Sequence, residues 1–311
     1  MGRFILRRLL IIPPALLLIN FLAYTYAYLV APVQASSNPY ATMQTNLPSI
    51  WSGYGQYLDN LLHLDLGVMP DDQQPVGQAL AQAGLASLGL LAIAVTLSIV
   101  VGVLLGFLAV GFDPPRIAGW LTTLVSIGLA SSSLFVGAGL IGLSIYYMFY
   151  SPGGMLLIPI AGYGWDIHLL LPVLALMVSP TAQIAQVTAS LMSDELGKQY
   201  VIAARSFGNT WAVIRRRHVM RNIMAGVILA ISSSLRFLMA ELVIVERLVS
   251  WRGIGRLLAL ALVSTMNSPL FLDPTTLAAL VTVIAAIFLL VEVVVSTLVR
   301  TVDPRLRTIQ E

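Results

Sequence analysis

The sequence has 311 residues, of which 58% are hydrophobic and only 10% are charged, and its mean hydropathy is +0.88. A soluble domain carries about 25% charged residues, so this chain has too few charges to cover a surface in water. It contains no cysteine, and its three histidines show no metal-ligand spacing. The composition therefore excludes a disulfide framework and a thiolate metal site, and it predicts helices that lie in a lipid bilayer.

The N-terminal segment is the first predicted element. Arg3, Arg7 and Arg8 precede an apolar run that extends from Leu9 to about Val30. A run of about 20 residues has the length of a membrane span and exceeds the core of a typical secretion signal. Because no clear small-residue cleavage site follows, we interpret this run as a retained first helix.

Six apolar segments are long enough to cross about 30 Å of hydrocarbon as helices. They lie near residues 9–30, 84–110, 120–149, 169–191, 224–246 and 276–299. The third is the least regular, because three consecutive serines, Ser131 to Ser133, interrupt it. No repeat or linker divides the chain, so we predict one transmembrane domain over residues 1–311. The predicted fold class is all-α and polytopic, with six transmembrane helices.

The positions of the basic residues predict the orientation, since Lys and Arg favour cytoplasmic loops. Between Arg8 and Arg116 the sequence contains no Lys or Arg, whereas residues 31–83 carry four aspartates. Basic residues crowd the fourth loop and follow the last span: Lys198, Arg205, Arg215, Arg216, Arg217, Arg221, Arg300, Arg305 and Arg307. Both termini and the fourth loop are therefore predicted to be cytoplasmic, and residues 31–83 to form an outer, periplasmic loop region.

One segment does not follow this pattern, because Arg247, Arg252 and Arg256 fall on the predicted outer side. Apolar residues recur through the same segment at helical spacing: Leu248, Trp251, Ile254, Leu257 and Leu258. This pattern is typical of an amphipathic helix. We therefore predict a re-entrant or interfacial segment near residues 246–262.

The predicted cytoplasmic loop, residues 192–223, has helical periodicity although it is polar. Apolar residues recur at helical spacing on both sides of Gly208 and Asn209, which form a helix-stop signal. The pattern predicts two short helices joined by a sharp turn. From the residues alone, two interpretations stay open: a docking element for another protein, or a solvated basic loop that follows from membrane orientation.

A family resemblance favours docking. The loop resembles the signature loop of ATP-binding-cassette (ABC) importer permeases, and more narrowly that of the dipeptide/oligopeptide/nickel branch. The matching residues are Tyr200-Val201, Ala204-Arg205, Gly208, Arg217-His218 and Arg221-Asn222. Ile202 departs from the broad signature, which has Glu there. The opening helix, Asp65-Leu66-Gly67, residues 246–255 and the tail Val302 to Arg307 are also similar to this branch.

The resemblance implies a type I ABC importer permease fold in the cytoplasmic (inner) membrane. It implies a permease subunit of an ATP-driven importer, most often for peptides, with nickel chelates, haem or sugars as alternatives. The implied partners are a second, different permease chain, two cytoplasmic ATPase subunits that bind ATP and Mg, an extracytoplasmic solute-binding protein and membrane lipid, but no nucleic acid. The chain itself is expected to hold no cofactor and to catalyse no reaction.

The same resemblance assigns residues of the loop to coupling with the ATPase. They are Tyr200, Ala203, Ala204, Arg205, Phe207, Gly208, Arg217, His218, Arg221 and Asn222. The sequence also excludes a phosphate-binding loop of its own, because its only lysine, Lys198, is followed by Gln199 rather than Ser or Thr. The ATPase site must therefore lie on another chain.

Three other functions compete with this one. An intramembrane protease would need an activated serine, an aspartate pair or a zinc motif within the spans, and the spans contain no such arrangement. An ion-driven transporter would need paired acids near the midplane, for which Glu241 and Glu292 are the only candidates. An ATP-independent channel or scaffold stays an alternative that the loop argues against.

Charged and polar residues inside the predicted spans are candidates for the translocation path. They are Arg236, Glu241, Glu292, Ser232 and Ser233. Because a charge near the bilayer centre costs roughly 2.5–3.5 kcal/mol even on a lenient scale, such residues face protein or water. The other interpretation is structural: an ion pair between Arg236 and Glu292, and serines that pack against a neighbouring helix. Five glycines are predicted to allow close packing against a neighbouring helix: Gly102, Gly106, Gly137, Gly139 and Gly142.

Overall fold

The computed structural model describes residues 2–37, 49–63, 65–68, 74–112, 114–151, 156, 158–262 and 273–302. This part of the chain is helical, with two isolated β-bridges, Val68 with Pro75 and Val110 with Ile117. The α-helices are α1 (Gly2–Ser37), α2 (Ile50–Leu62), α3 (Val76–Leu108), α4 (Gly119–Ala130), α5 (Ser133–Tyr150), α6 (Leu170–Leu196), α7 (Gln199–Ser206), α8 (Trp211–Val213), α9 (Met220–Leu248), α10 (Ile254–Leu262) and α11 (Pro274–Val302). A 3₁₀ turn, Ile167–Leu169, precedes α6, and a π-helical segment, Ile214–Val219, joins α8 to α9.

Six helical segments in the described part of the chain are long and apolar enough to cross a membrane. They are Arg8–Val33, Val76–Leu108, Ser133–Tyr150, Ile167–Leu196, Trp211–Leu248 and Pro274–Thr297. This confirms the predicted all-α, polytopic class with six spans. Four of the charged residues on which the predicted orientation depends lie outside the described residues, as does most of the predicted tail motif. They are Asp71, Asp72, Arg305 and Arg307.

The predicted third span, 120–149, is wrong as a single helix. The structure ends α4 at Ala130 and begins α5 at Ser133, with extended backbone at Ser131 and Ser132 (ψ 114° and 156°). The hydroxyl of Ser131 donates to the carbonyl oxygen of Ile127 at 2.8 Å. Serine side chains compete with the helix ladder in this way, which accounts for the interruption where the serines are consecutive.

The predicted fifth span begins too late, at 224, because the helix already begins at Trp211. Residues Trp211–Leu248 form one helical stretch of 38 residues, so the second short helix of the predicted loop is the first part of this span. Ile214, Val219, Ile223 and Val227 are all buried in one cluster. Their spacing of five, then four and four, needs one π-helical turn to keep them on a single face.

Contacts divide the chain into two compact units, Met1–Leu88 with Ser250–Val293 and Gly89–Val249 with Val294–Glu311. The prediction of one domain over 1–311 stays a prediction. In the first unit, the indole of Trp251 is fully buried and donates to the carbonyl oxygen of Ala86 at 3.2 Å. The predicted amphipathic helix near 246–262 begins only at Ile254, since residues up to Leu248 belong to α9 and Trp251 lies in the non-helical segment between the two helices.

In the second unit, α6 is buried along most of its length and α3 approaches it closely. A Cβ on Gly106 would lie 2.7 Å from the carbonyl oxygen of Ala185, and one on Gly102 would lie 2.9 Å from the Cβ of Ile184. Glycine is required where two helix backbones come this near. This packing holds α3 against the middle of α6, whose last residues lead into the candidate site.

Candidate coupling site

The predicted docking loop contains one short helix, α7, and a glycine turn. Gly208 has φ +82°, and its N–H donates to the carbonyl oxygen of Arg205 at 2.9 Å. The side-chain amide of Asn209 donates to the carbonyl oxygen of Ala204 at 3.0 Å. Glycine is favoured here because other residues rarely adopt a positive φ. The predicted helix-stop signal at Gly208 and Asn209 is therefore a glycine C-cap.

The surface of α7 divides into a buried side and an exposed apolar side. Val201 is buried, and Tyr200 and Ala204 are half-buried against the same cluster. On the other side, Ile202 is 67% and Phe207 85% exposed, and Ala203 and Arg205 are exposed with them. Large apolar side chains exposed on a short, otherwise polar segment are typical of a protein-binding surface.

A buried carboxylate at the end of α6 connects α7 to α9. Glu195 is 8% exposed, and its carboxylate accepts hydrogen bonds from the ammonium of Lys198, the hydroxyl of Tyr200 (3.1 Å) and the amide of Asn222 (2.9 Å). Burial and the hydrogen bond to Glu195 raise the pKa of Tyr200 to about 12. Tyr200 therefore stays a neutral donor throughout the physiological range.

Sequence reasoning identified Tyr200 and Asn222 but missed Glu195, the acceptor that they share. One signal was available, namely an acidic residue five positions before Tyr200 in a basic segment. Asp194, its acidic neighbour, is exposed, so the charge alone does not tell which of the two carboxylates turns inward.

Two arginines stack on aromatic rings beside this site. The guanidinium of Arg215 is buried and lies 3.8 Å from the ring centroid of Phe107 and 4.9 Å from that of Phe112. Arg205 lies 4.6 Å from the ring centroid of Trp211. Such cation–π contacts contribute about 0.5–2 kcal/mol, depending on their exposure. The Arg215 contacts join the end of α3 and the residue Phe112 after it to the first turns of the 211–248 helix, and the Arg205 contact joins α7 to Trp211.

The structure brings together part of the predicted coupling set. Tyr200 and Asn222 meet at Glu195, and Arg205 stacks on the first residue of the next helix. Arg217 and Arg221 are exposed on the first turns of the 211–248 helix, and His218 is half-buried between them. The site therefore presents apolar residues on α7 and basic residues on the adjoining helix.

The residues predicted for the translocation path fall in different surroundings. Ser233 accepts from the amide of Gln183 at 3.0 Å, and the hydroxyl of Ser232 donates to the carbonyl oxygen of Ile228 at 2.8 Å. Glu292 lies 3.4 Å from the guanidinium of Arg8. Arg236 lies on an exposed face of α9. Ser233 contacts α6 and Glu292 contacts α1, whereas the Ser232 bond lies within α9. The path-lining and helix-packing interpretations both stay predictions.

A helical membrane protein with a short, apolar-tipped helix between two spans has the architecture expected of a transport subunit that docks on a separate protein. The family described as "Binding-protein-dependent transport system inner membrane component" matches residues 98–308. The chain belongs to this family. It is a multi-pass inner-membrane permease component of an ABC importer. This membership confirms the resemblance stated from the loop residues. The family is a transport component rather than an ATPase.

Known relatives match the chain over nearly its whole length. The dipeptide transport system permease protein DppB of Escherichia coli (strain K12) is 27% identical, with 99% of each chain covered. The glutathione transport system permease protein GsiC of Escherichia coli O6:H1 is 24% identical, again with 99% of each chain covered. An inward-facing structure of the MetNI methionine ABC transporter has a TM-score of 0.55 at 16% identity, and covers 73% of this chain and 97% of that chain. The fold is therefore that of a type I ABC importer permease, as predicted.

Proposed function

We propose that this chain and a second, different permease chain form the pathway through which an ATP-driven importer takes up short peptides. Two separate ATPase subunits bind ATP and Mg in the cytoplasm, and an extracytoplasmic binding protein delivers the solute. The chain holds no cofactor and catalyses no reaction in this arrangement. Both termini lie in the cytoplasm, and α2 lies on the outer side of the membrane.

The observation that carries the proposal is the surface of α7. Ile202 and Phe207 are exposed, while Val201 and the Glu195 hydrogen bonds fix the opposite side of the helix. A rigid helix with an apolar tip gains by burying that tip in a groove of another protein. Basic residues beside it, Arg217 and Arg221, suit an acidic rim on the partner.

The proposed cargo rests on the relatives. DppB is described as a dipeptide permease protein and GsiC as a glutathione permease protein. Both solutes are short peptides, so the chemistry that they share is a backbone amide between an amine and a carboxylate. The likeness to the methionine transporter supports the fold alone and contributes nothing to the cargo.

Uptake by the reconstituted importer tests the proposal. Proteoliposomes that hold both permease chains and the ATPase subunits are supplied with the binding protein and radiolabelled dialanine. We expect uptake that requires ATP hydrolysis. Replacing Gly208 by Val forces a β-branched residue into a left-handed conformation at a cost of about 1–2 kcal/mol or more, so Gly208→Val reduces uptake per ATP hydrolysed.

The matched control for that variant is Gly208→Asn, because asparagine tolerates a positive φ. In the described part of the chain, no atom lies within 4 Å of the position that a Cβ on Gly208 would occupy, so the two variants differ in backbone strain rather than in steric overlap. Gly208→Asn is expected to keep most of the uptake. Uptake that continues without the ATPase subunits would favour the channel alternative and contradict the proposal.

A further inference from the structure

The interruption between α4 and α5 leaves a helix N-terminus that its own residues do not cap. Ser132, at the N-cap position, makes no side-chain capping bond. The hydroxyl of Ser133 is buried and has no hydrogen-bond partner in the described part of the chain. The first N–H groups of any helix lack partners within the helix, and a bilayer offers no water to replace them.

The cap comes from another span. The carboxylate of Glu241, on α9, accepts a hydrogen bond from the backbone N–H of Ser133 at 2.8 Å, although the two residues are 108 positions apart in the chain. Glu241 is 8% exposed and Ser133 is 2% exposed. A carboxylate is well suited to this position, because the N-terminal end of a helix carries a partial positive charge.

Glu241 also belongs to the helix that begins at the coupling site. Residues Trp211–Leu248 are continuous, so Glu241 lies about 45 Å along the helix from Trp211 at 1.5 Å per residue. Asn222, on the same helix, is bonded to Glu195 beside α7. One continuous helix therefore connects the coupling site to the N-terminus of α5.

From this arrangement we infer that Glu241 is a positioning residue for transport, which couples movement of the 211–248 helix to α5 about the Ser131–Ser132 interruption. The inference rests on the proposed function, since it needs α7 to be moved by an ATPase. It gives Glu241 a role that is neither a path-lining charge nor an ion pair. The essential contact is the hydrogen bond that the backbone N–H of Ser133 donates to Glu241, rather than the charge of Glu241.

Two substitutions in the complete importer test this role. Glu241→Gln keeps an oxygen acceptor for the Ser133 N–H, and Glu241→Met keeps the length of the side chain but has no such acceptor. We expect Glu241→Met to lower uptake per ATP hydrolysed about tenfold, given the usual penalty for an unpaired buried donor, while Glu241→Gln keeps most of it. The control is Ser144→Ala, which removes a buried α5 hydroxyl that has no hydrogen-bond partner in the described part of the chain and should leave the ratio unchanged.

A second measurement follows the interruption itself rather than uptake. The chain contains no cysteine, so Ser132→Cys places a single thiol at the interruption. In an importer whose other subunits also lack cysteine, its reaction rate with a small maleimide is compared with and without ATP and vanadate. We expect the rate to change with nucleotide state in the otherwise unaltered chain, and this dependence to disappear when Glu241→Met is added.

The role is overturned by equal loss of coupling in Glu241→Gln and Glu241→Met, because the charge would then be the essential feature. It is also overturned if Glu241→Met keeps the unaltered uptake per ATP hydrolysed. The same holds if the maleimide reaction rate of Ser132→Cys is equal with and without ATP and vanadate. Failure of the proposed function has a different result: the unaltered importer itself would then take up no dialanine in response to ATP.

Discussion

Glu195 shows how one carboxylate organises the coupling site. Its donors come from both sides of the glycine turn, since Lys198 and Tyr200 precede Gly208 while Asn222 follows it. A hydrogen bond to a charged group contributes about 1.5–3 kcal/mol, more than a bond between neutral groups. The carboxylate therefore fixes the angle at which α7 leaves α6, and with it the direction of the exposed Ile202 and Phe207.

The prediction at this scale is that Glu195→Ala destabilises the chain by about 1–2 kcal/mol, because the half-buried Tyr200 and the exposed Asn222 both lose a hydrogen bond to a charged acceptor. Thermal unfolding in detergent measures the change. The matched control is Asp194→Asn, which removes the neighbouring exposed charge and should leave the unfolding midpoint unchanged. An equal effect of both substitutions would mean that net charge, rather than the hydrogen-bonded hub, stabilises the loop.

Sequence reasoning could place Tyr200, Gly208 and Asn222 at this site, because they match the pattern of a known loop. It could not find Glu195 or the role of Glu241. In both residues the partner is fixed by tertiary packing: Asn222 lies 27 positions from Glu195, and Ser133 lies 108 positions from Glu241. No periodicity within one element contains that information.

At the scale of elements, the structure separates glycines that the sequence treats alike. A Cβ on Gly102, Gly106 or Gly137 would come within 3 Å of a neighbouring atom, whereas for Gly139 and Gly142 no atom of the described chain lies within 4 Å. The first group packs helix against helix within the chain, as predicted. Gly139 and Gly142 lie on an open face of α5, so their predicted packing role does not hold within this chain.

This difference predicts opposite effects of the same substitution. Gly106→Ala should destabilise the chain, because the new Cβ would overlap the carbonyl oxygen of Ala185 and separate α3 from α6. Gly139→Ala should be neutral or stabilising, since alanine in a helix interior is favoured over glycine by roughly 0.5–1 kcal/mol. Thermal unfolding of the two purified variants checks this. Equal stability of the two would argue against close packing of α3 on α6.

Hydropathy predicted the number of spans because only closed hydrogen-bonding elements are stable in a bilayer. The sequence marked Ser131 to Ser133 as an irregularity of the third span, but it could not predict that the helix ends there, since consecutive serines are compatible with either a continuous helix or a break. It also missed the start of the fifth span at Trp211. The basic run Arg215 to Arg217 looks like a loop, but Arg215 is buried over Phe107 and the π-helical turn keeps the apolar face continuous.

At the scale of the whole molecule, the family and the type I fold could be predicted, because a spaced motif in one loop and a hydropathy pattern along the full chain agree. The sidedness of that fold rests on a different argument, the distribution of charge. Residues between Arg8 and Arg116 contain no Lys or Arg, whereas the segment around α7 is rich in both. By the positive-inside rule this difference predicts opposite sides of the membrane for α2 and α7.

Single-cysteine labelling tests this sidedness directly, since a chain without cysteine has no background thiol. Ser52, on α2, and Ser206, at the end of α7, are both exposed and therefore accessible positions. In intact spheroplasts a membrane-impermeant maleimide should label Ser52→Cys and leave Ser206→Cys unmodified, and disruption of the membrane should make both reactive. If Ser206→Cys reacts in intact cells, α7 lies outside, where no nucleotide-driven partner could reach it.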